Sequence, residues 1–175
     1  MTDIQFVANE EIYTKVLLEK VPNAKRSVWI ATADIKDLYV KKLGRMVPFL
    51  QIISDLLLSG VEVRLIFAKE PGQAFQKDFD KYPVLARKLE QFHCPRVHFK
   101  TVIIDGGEWI FTGSANLTGA GMGAKSVRNR NFENGVISTN EAFNNQVFEQ
   151  FDSVWMGTYC DLCGRKQYCA EWRDM

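Results

Sequence analysis

His98-Phe99-Lys100-Thr101-Val102-Ile103-Ile104-Asp105-Gly106-Gly107-Glu108-Trp109-Ile110-Phe111-Thr112-Gly113-Ser114-Ala115-Asn116 is the stretch on which the reading of this chain turns. Two β-rich runs, Val102 to Ile104 and Trp109 to Thr112, flank Asp105-Gly106-Gly107 and predict a hairpin with a tight turn. On its first arm, His98 and Lys100 are two residues apart, so both side chains face one side while Phe99 faces the other. An imidazole beside an ammonium suits an anionic phosphate. The second arm runs into Gly113-Ser114-Ala115-Asn116, which adds small, neutral hydrogen-bonding groups at the same end of the hairpin.

Outward from the hairpin the periodicity alternates. Ile12, Val16, Leu17 and Val21 recur at helical spacing and stop near Pro22-Asn23. Ser27 to Ala33 reads as a buried strand, Pro48 to Leu58 as a helix closed by Ser59-Gly60, and Val61 to Phe67 as an alternating strand. A further helix is predicted over Pro83 to Phe92, and a short strand over Gly135 to Ser138. The last helix, Asn140 to Trp155, places Phe143, Val147, Phe148, Phe151, Val154 and Trp155 on one face, with Thr139 or Asn140 as its cap. Strands alternating with helices predict an α/β sandwich around a mixed sheet. The 175 residues, 46% hydrophobic, suffice for one domain, taken as 1–157, followed by a cysteine-containing tail, 158–175.

The pattern His98-x-Lys100-x4-Asp105 followed by Gly113-Ser114-x-Asn116 resembles the signature of the phospholipase D superfamily, in its single-motif, nuclease-like subgroup. The resemblance covers residues 98 to 116 and extends to Glu133 within Asn131-Phe132-Glu133-Asn134. It implies an α/β/α sandwich with one motif per chain and a phosphodiesterase working through a covalent phosphohistidine. In that family a histidine attacks phosphorus, a second histidine protonates the leaving oxygen, and lysine and asparagine hold the phosphate. Those roles fall on His98, Lys100 and Asn116, while Asp105 and Gly113 are structural members of the motif.

The residue types make chemical sense by themselves. A neutral imidazole, with a pKa of about 6.5, is a competent nucleophile near neutral pH when a partner on its other nitrogen fixes the tautomer. Glu133 is the candidate partner. Lys100 is expected to set positive charge against the transferring oxygens, with Ser114 and Asn116 as neutral donors. Asp105, at the strand-to-turn junction, is expected to accept backbone N–H groups. A lone histidine or a Gly-Ser-x-Asn turn carries no such meaning; the joint spacing does.

The chain has two histidines, and only His98 is followed by a lysine two residues on. Because the reaction needs a nucleophile and an acid on opposite sides of phosphorus, a homodimer sharing one site is expected, as in single-motif members of the resembled family. Between the motif and Glu133, the glycine-rich run from Gly119 turns basic at Lys125, Arg128 and Arg130, candidates for contacts to a polymer's phosphates. A solvated basic loop is the alternative.

Net charge is +1, so any nucleic-acid or membrane binding must be local. Met1-Thr2-Asp3-Ile4-Gln5 is not a basic-then-apolar leader and no long apolar run follows, so a cytoplasmic protein without membrane insertion is expected. Nucleic acid, DNA or RNA, is the expected substrate; a phospholipase-type lipid phosphodiesterase and a non-catalytic phosphate-binding module are the alternatives. No cofactor is expected for catalysis. In the tail, Cys160-x2-Cys163-Gly164 and Cys169 resemble half of a zinc knuckle, with Cys94 or His93 as a fourth ligand of a structural zinc; free thiols, a disulfide and an iron–sulfur cluster are the alternatives.

Overall fold

The computed structural model describes residues 3–36 and 38–173, with side chains through residue 171. Seven strands form one sheet in the order β1-β9-β8-β7-β2-β5-β6: β1 Ile4–Ala8, β2 Ser27–Thr32, β5 Glu62–Phe67, β6 Glu90–His93, β7 Lys100–Ile104, β8 Trp109–Gly113 and β9 Asn134–Ser138. The strands β2, β5 and β6 are parallel to one another; β7 joins β2 antiparallel and leads through β8 and β9 to β1 in antiparallel steps. This is the mixed sheet expected. A separate hairpin, β3 Tyr39–Lys42 and β4 Arg45–Pro48, follows β2.

Alternation along the strands sorts the core into two layers. Val28 and Ile30 of β2, with Val102 and Ile104 of β7, belong to the larger cluster, which also holds Ile12, Val16, Leu17 and Val21 from the first helical segment and Ile52, Ile53 and Leu56 from α2 Phe49–Leu58. Ala31, Ile103 and Ile110 face the opposite side with Phe151 of α5 Glu141–Trp155. Along α5, Phe148 and Phe151 stack on Trp29 at 4.8 and 5.3 Å, and Arg64 lies over both Trp29 and Trp155. Asn140 caps α5, its Oδ1 accepting the Phe143 N–H at 3.0 Å.

Local expectations differ from the fold in three places. The first helical segment begins as α1 Glu10–Ile12, continues as a π-helix over Tyr13–Lys20 and ends in a 3₁₀ turn, Val21–Asn23. The helix predicted to reach Phe92 is α4 Pro83–Lys88; after it the chain extends into β6, where pairing Gln91 with Leu65 and Phe92 with Ile66 outweighs helical propensity. Short elements with weak periodicity, β1, α3 Gln73–Phe79 and the β3–β4 hairpin, carried no sequence expectation.

Central to the fold is β7, whose five residues are all buried. Asp105 ends it in the left-handed region, φ 53°, and its carboxylate gathers the N–H groups of Lys25, Arg26 and Ser27 at 2.7–3.1 Å. Burial pushes this carboxyl up, yet the N–H groups of Arg26, Ser27 and Lys25 and the Arg26 charge outweigh it and hold it below its usual value. Asp105 thus staples the β7–β8 turn to the start of β2. Asp105→Ala is expected to lower stability by about 2–4 kcal/mol, since three backbone donors lose a charged acceptor. A depressed carboxyl contributes stability above its unfolded pKa of about 3.9 and loses it as pH falls through the folded pKa. Thermal melts of wild type and variant should therefore differ most at neutral pH and converge in acid.

Candidate active site

Three strand ends meet at one edge of the sheet: the N-terminus of β7, the C-terminus of β8 and the C-terminus of β2. Pairing in the hairpin begins at Lys100 with Gly113, so His98 lies in extended chain just ahead of the strand. Phe99 turns into the α5 layer, as period-2 geometry expects, and leaves His98 and Lys100 together. His98 is exposed, whereas Lys100 retains 7% of its surface.

The Lys100 Nζ donates to the His98 carbonyl at 2.6 Å and lies 3.1 Å from His98 Nδ1. An ammonium only donates, so Nδ1 accepts, and the resting neutral imidazole carries its proton on Nε2. Burial holds Lys100 below the ordinary lysine pKa, opposed by the negative charge of Glu133. A charge kept desolvated at a strand end acts strongly on any anion that reaches it.

Asn116 is anchored from the far side. Its Oδ1 accepts the N–H groups of Ala33 and Asp34 at 3.2 and 3.1 Å, just past β2. Two backbone donors fix which end of the amide is oxygen, so Nδ2 is the donor left for a ligand. Thr32, fully buried, braces this corner: its hydroxyl donates to Asp34 O at 2.7 Å and accepts the Leu117 N–H at 2.9 Å. Gly113 is required by crowding, because a Cβ there would stand 2.3 Å from Asn134 O and 2.7 Å from Gly135 Cα.

Glu133 and Ser114 are brought to the site in a different way from that expected. The hydroxyl of Ser114 donates to Glu133 Oε2 and accepts the Asn134 N–H, so it is not a free donor for phosphate. Asn131 Nδ2 donates to the other Glu133 oxygen at 3.1 Å. Glu133 makes no hydrogen bond to His98, whose Nδ1 is taken by Lys100; its link to the pair is through its charge on Lys100. Asn9 clamps its backbone, with Asn9 Oδ1 accepting the Glu133 N–H at 3.1 Å and Asn9 N donating to Glu133 O at 2.9 Å. Asn9 and Thr32 carried no expected role at the site, since the contacts that place them there, to Glu133 and to Leu117, span more than 80 residues.

The basic loop divides. Lys125 and Arg128 are exposed, but Arg130 is bound to Glu10 at 2.8 Å with its side chain only 16% exposed, and is withdrawn as a phosphate ligand. Trp109 and Phe111 are core, as expected.

A buried cation, an exposed imidazole and an anchored amide thus lie together at the strand ends of an α/β/α sandwich. The chain belongs to the phospholipase D superfamily: the family described as cardiolipin synthase, PLD-like domain, matches residues 17–155. Among solved structures it is similar to the phospholipase D family member Nuc from Salmonella typhimurium, with a TM-score of 0.61 at 18% identity over 87% of this chain and 93% of that one. NucT from Helicobacter pylori gives 0.59 at 15% identity, over 86% and 94%. The archaeal chromatin protein TrmBL2 gives 0.57 at 15% identity, over 88% of this chain and 52% of that one. At these identities the likeness is one of fold. No curated protein matches the sequence. Superfamily members are phosphodiesterases. No helix among the described residues is long and apolar enough to cross a membrane.

Proposed function

We propose that this protein is a metal-independent endonuclease, cleaving nucleic-acid phosphodiester bonds through a covalent phosphohistidine in a site completed by two copies of the chain. The observation that carries the reading is Lys100, whose buried ammonium sits against His98 Nδ1 at the rim of the site. When a phosphate arrives, Lys100 turns to its oxygens, where the stronger anion outcompetes a carbonyl and an imidazole. Freed from Lys100, His98 exchanges its ring proton with water, losing it from Nε2 and gaining one on Nδ1; the Nδ1–H then donates to Glu133, and the lone pair on Nε2 attacks phosphorus. The P–O bond to the leaving strand breaks, and that oxygen takes a proton from the imidazolium of the second chain's His98. Water then attacks the phosphohistidine, passes its proton to the second imidazole and releases His98.

One chain holds a single His98, and its other histidine has no part in this site: both ring nitrogens of His93 are bonded, to Ala68 O and to the Ala170 N–H. The acid therefore comes from a second chain. Nucleic acid is favoured as substrate by the exposed Lys125 and Arg128 in the loop between Asn116 and Glu133, and TrmBL2, which shares the fold, binds DNA. In the test, the full chain is incubated with labelled single- and double-stranded DNA and RNA at low salt with EDTA, while a parallel melt checks that the fold persists. Cleavage of any of these polymers is expected. Hydrolysis of phosphatidylcholine without polymer cleavage would replace nucleic acid by lipid, and silence on every substrate would reject the enzyme.

A further inference from the structure

The last helix ends at Trp155, and the chain then runs through turns and a short 3₁₀ segment, Lys166–Tyr168, to α6 Ala170–Arg173. Between Gly157 and Cys169 no residue is buried, and Tyr159, Leu162 and Tyr168 are 58, 97 and 54% exposed. Apolar burial cannot fix such a segment. Yet it is folded back on the sheet: Ala170 N–H reaches His93 Nδ1 at 3.0 Å, and Glu171 accepts the His93 N–H at 3.1 Å.

All four cysteines of the chain lie where this segment meets the loop before His98. Cys94, Cys160, Cys163 and Cys169 line one cavity of about 270 Å³, and none is in a disulfide. The Cys160–Cys163 turn is closed by the Cys163 N–H on Cys160 O at 3.1 Å, and the Arg165 N–H points at Cys163 Sγ at 3.4 Å. A backbone amide aimed at sulfur is the arrangement that supports a thiolate ligand. Arg96 also reaches Cys163, bringing compensating positive charge to the cluster. Cys160 in turn feels Cys169, Cys94 and Cys163 electrostatically.

From this juxtaposition we infer a structural zinc site with four thiolate ligands, Cys94, Cys160, Cys163 and Cys169, which ties the tail to the loop that leads into His98. The alternative fourth ligand, His93, is excluded because both its ring nitrogens are spent on backbone groups. Among the described residues no three potential ligands are grouped closely enough to share an ion as they stand. Binding therefore has to draw the four thiols inward across the cavity they line. Binding is at once folding energy for a segment with little core of its own. Cys94 lies four residues before His98, with Val97 N–H closing a turn on Cys94 O at 3.0 Å, so the ion also braces the approach to the nucleophile.

The test is elemental analysis of the full chain, purified reduced and without chelator, together with thiol counting and the spectrum of cobalt-loaded protein. About one zinc per chain is expected, released only when thiols are modified, with the strong visible bands of tetrahedral sulfur-bound cobalt. Cys163→Ser and Cys169→Ser should each lower bound zinc at least about tenfold, read at equal folded concentration. Metal-free wild type with four freely reacting thiols would overturn the inference, as would zinc unchanged in both variants, or iron with labile sulfide in place of zinc. None of these readouts depends on cleavage, so the site stands or falls apart from the catalytic reading.

Discussion

His98→Ala should lose cleavage by about 10⁴-fold or more, because it removes the nucleophile and, in a two-chain site, the acid as well. His98 is exposed and its side-chain contact is with Lys100, so the variant should fold as the wild type does. The sharper measurement mixes the two. If each site needs one His98 from each chain, unfolding and refolding wild type with His98→Ala in varied ratio should make activity follow the square of the wild-type fraction, since only wild-type pairs are complete. A linear dependence would mean that one chain suffices, and would place the acid on a group other than the second His98. Activity retained by His98→Ala alone would remove the phosphohistidine altogether.

The part of this site that was legible in the sequence is the part built within one hairpin. His98, Lys100, Asp105, Gly113 and Asn116 lie within nineteen consecutive positions, and a single turn fixes their relation, so spacing alone carried the geometry. What escaped was set by pairings across the chain. Asn116 is oriented by backbone groups at residues 33 and 34, Glu133 by Asn9, and Arg130 is claimed by Glu10, 120 positions away. No local pattern announces such partners. The same division runs through the fold: α2 and α5 could be read from one continuous apolar face, whereas β6 is a four-residue edge strand defined only by its pairing with β5. The π-helical stretch over Tyr13–Lys20 keeps Val16 and Leu17 buried, so apolar spacing located the element without revealing its winding.

Lys100→Met should separate catalysis from folding more cleanly than any other change at the site. Methionine fills much of the lysine stem's volume at the buried start of β7 but supplies no charge, and loss of one such electrostatic contact costs about 10²–10³ in kcat. Stability should not fall with it. Because burial holds the folded-state pKa of Lys100 below its unfolded value, the unfolded chain binds the proton more tightly at neutral pH, and keeping the ammonium in place costs stability there. The variant should accordingly melt at the same temperature as the wild type or above it. The same depression sets the alkaline limb of the wild-type activity profile: the site fails as Lys100 loses its proton, so activity should decline at a pH below the ordinary lysine value of about 10.4. In Lys100→Met the residual activity should show no such limb. A variant that melts well below the wild type, or that keeps both the rate and the alkaline decline, would show that Lys100 is a packing residue and that the charge acting on phosphate lies elsewhere.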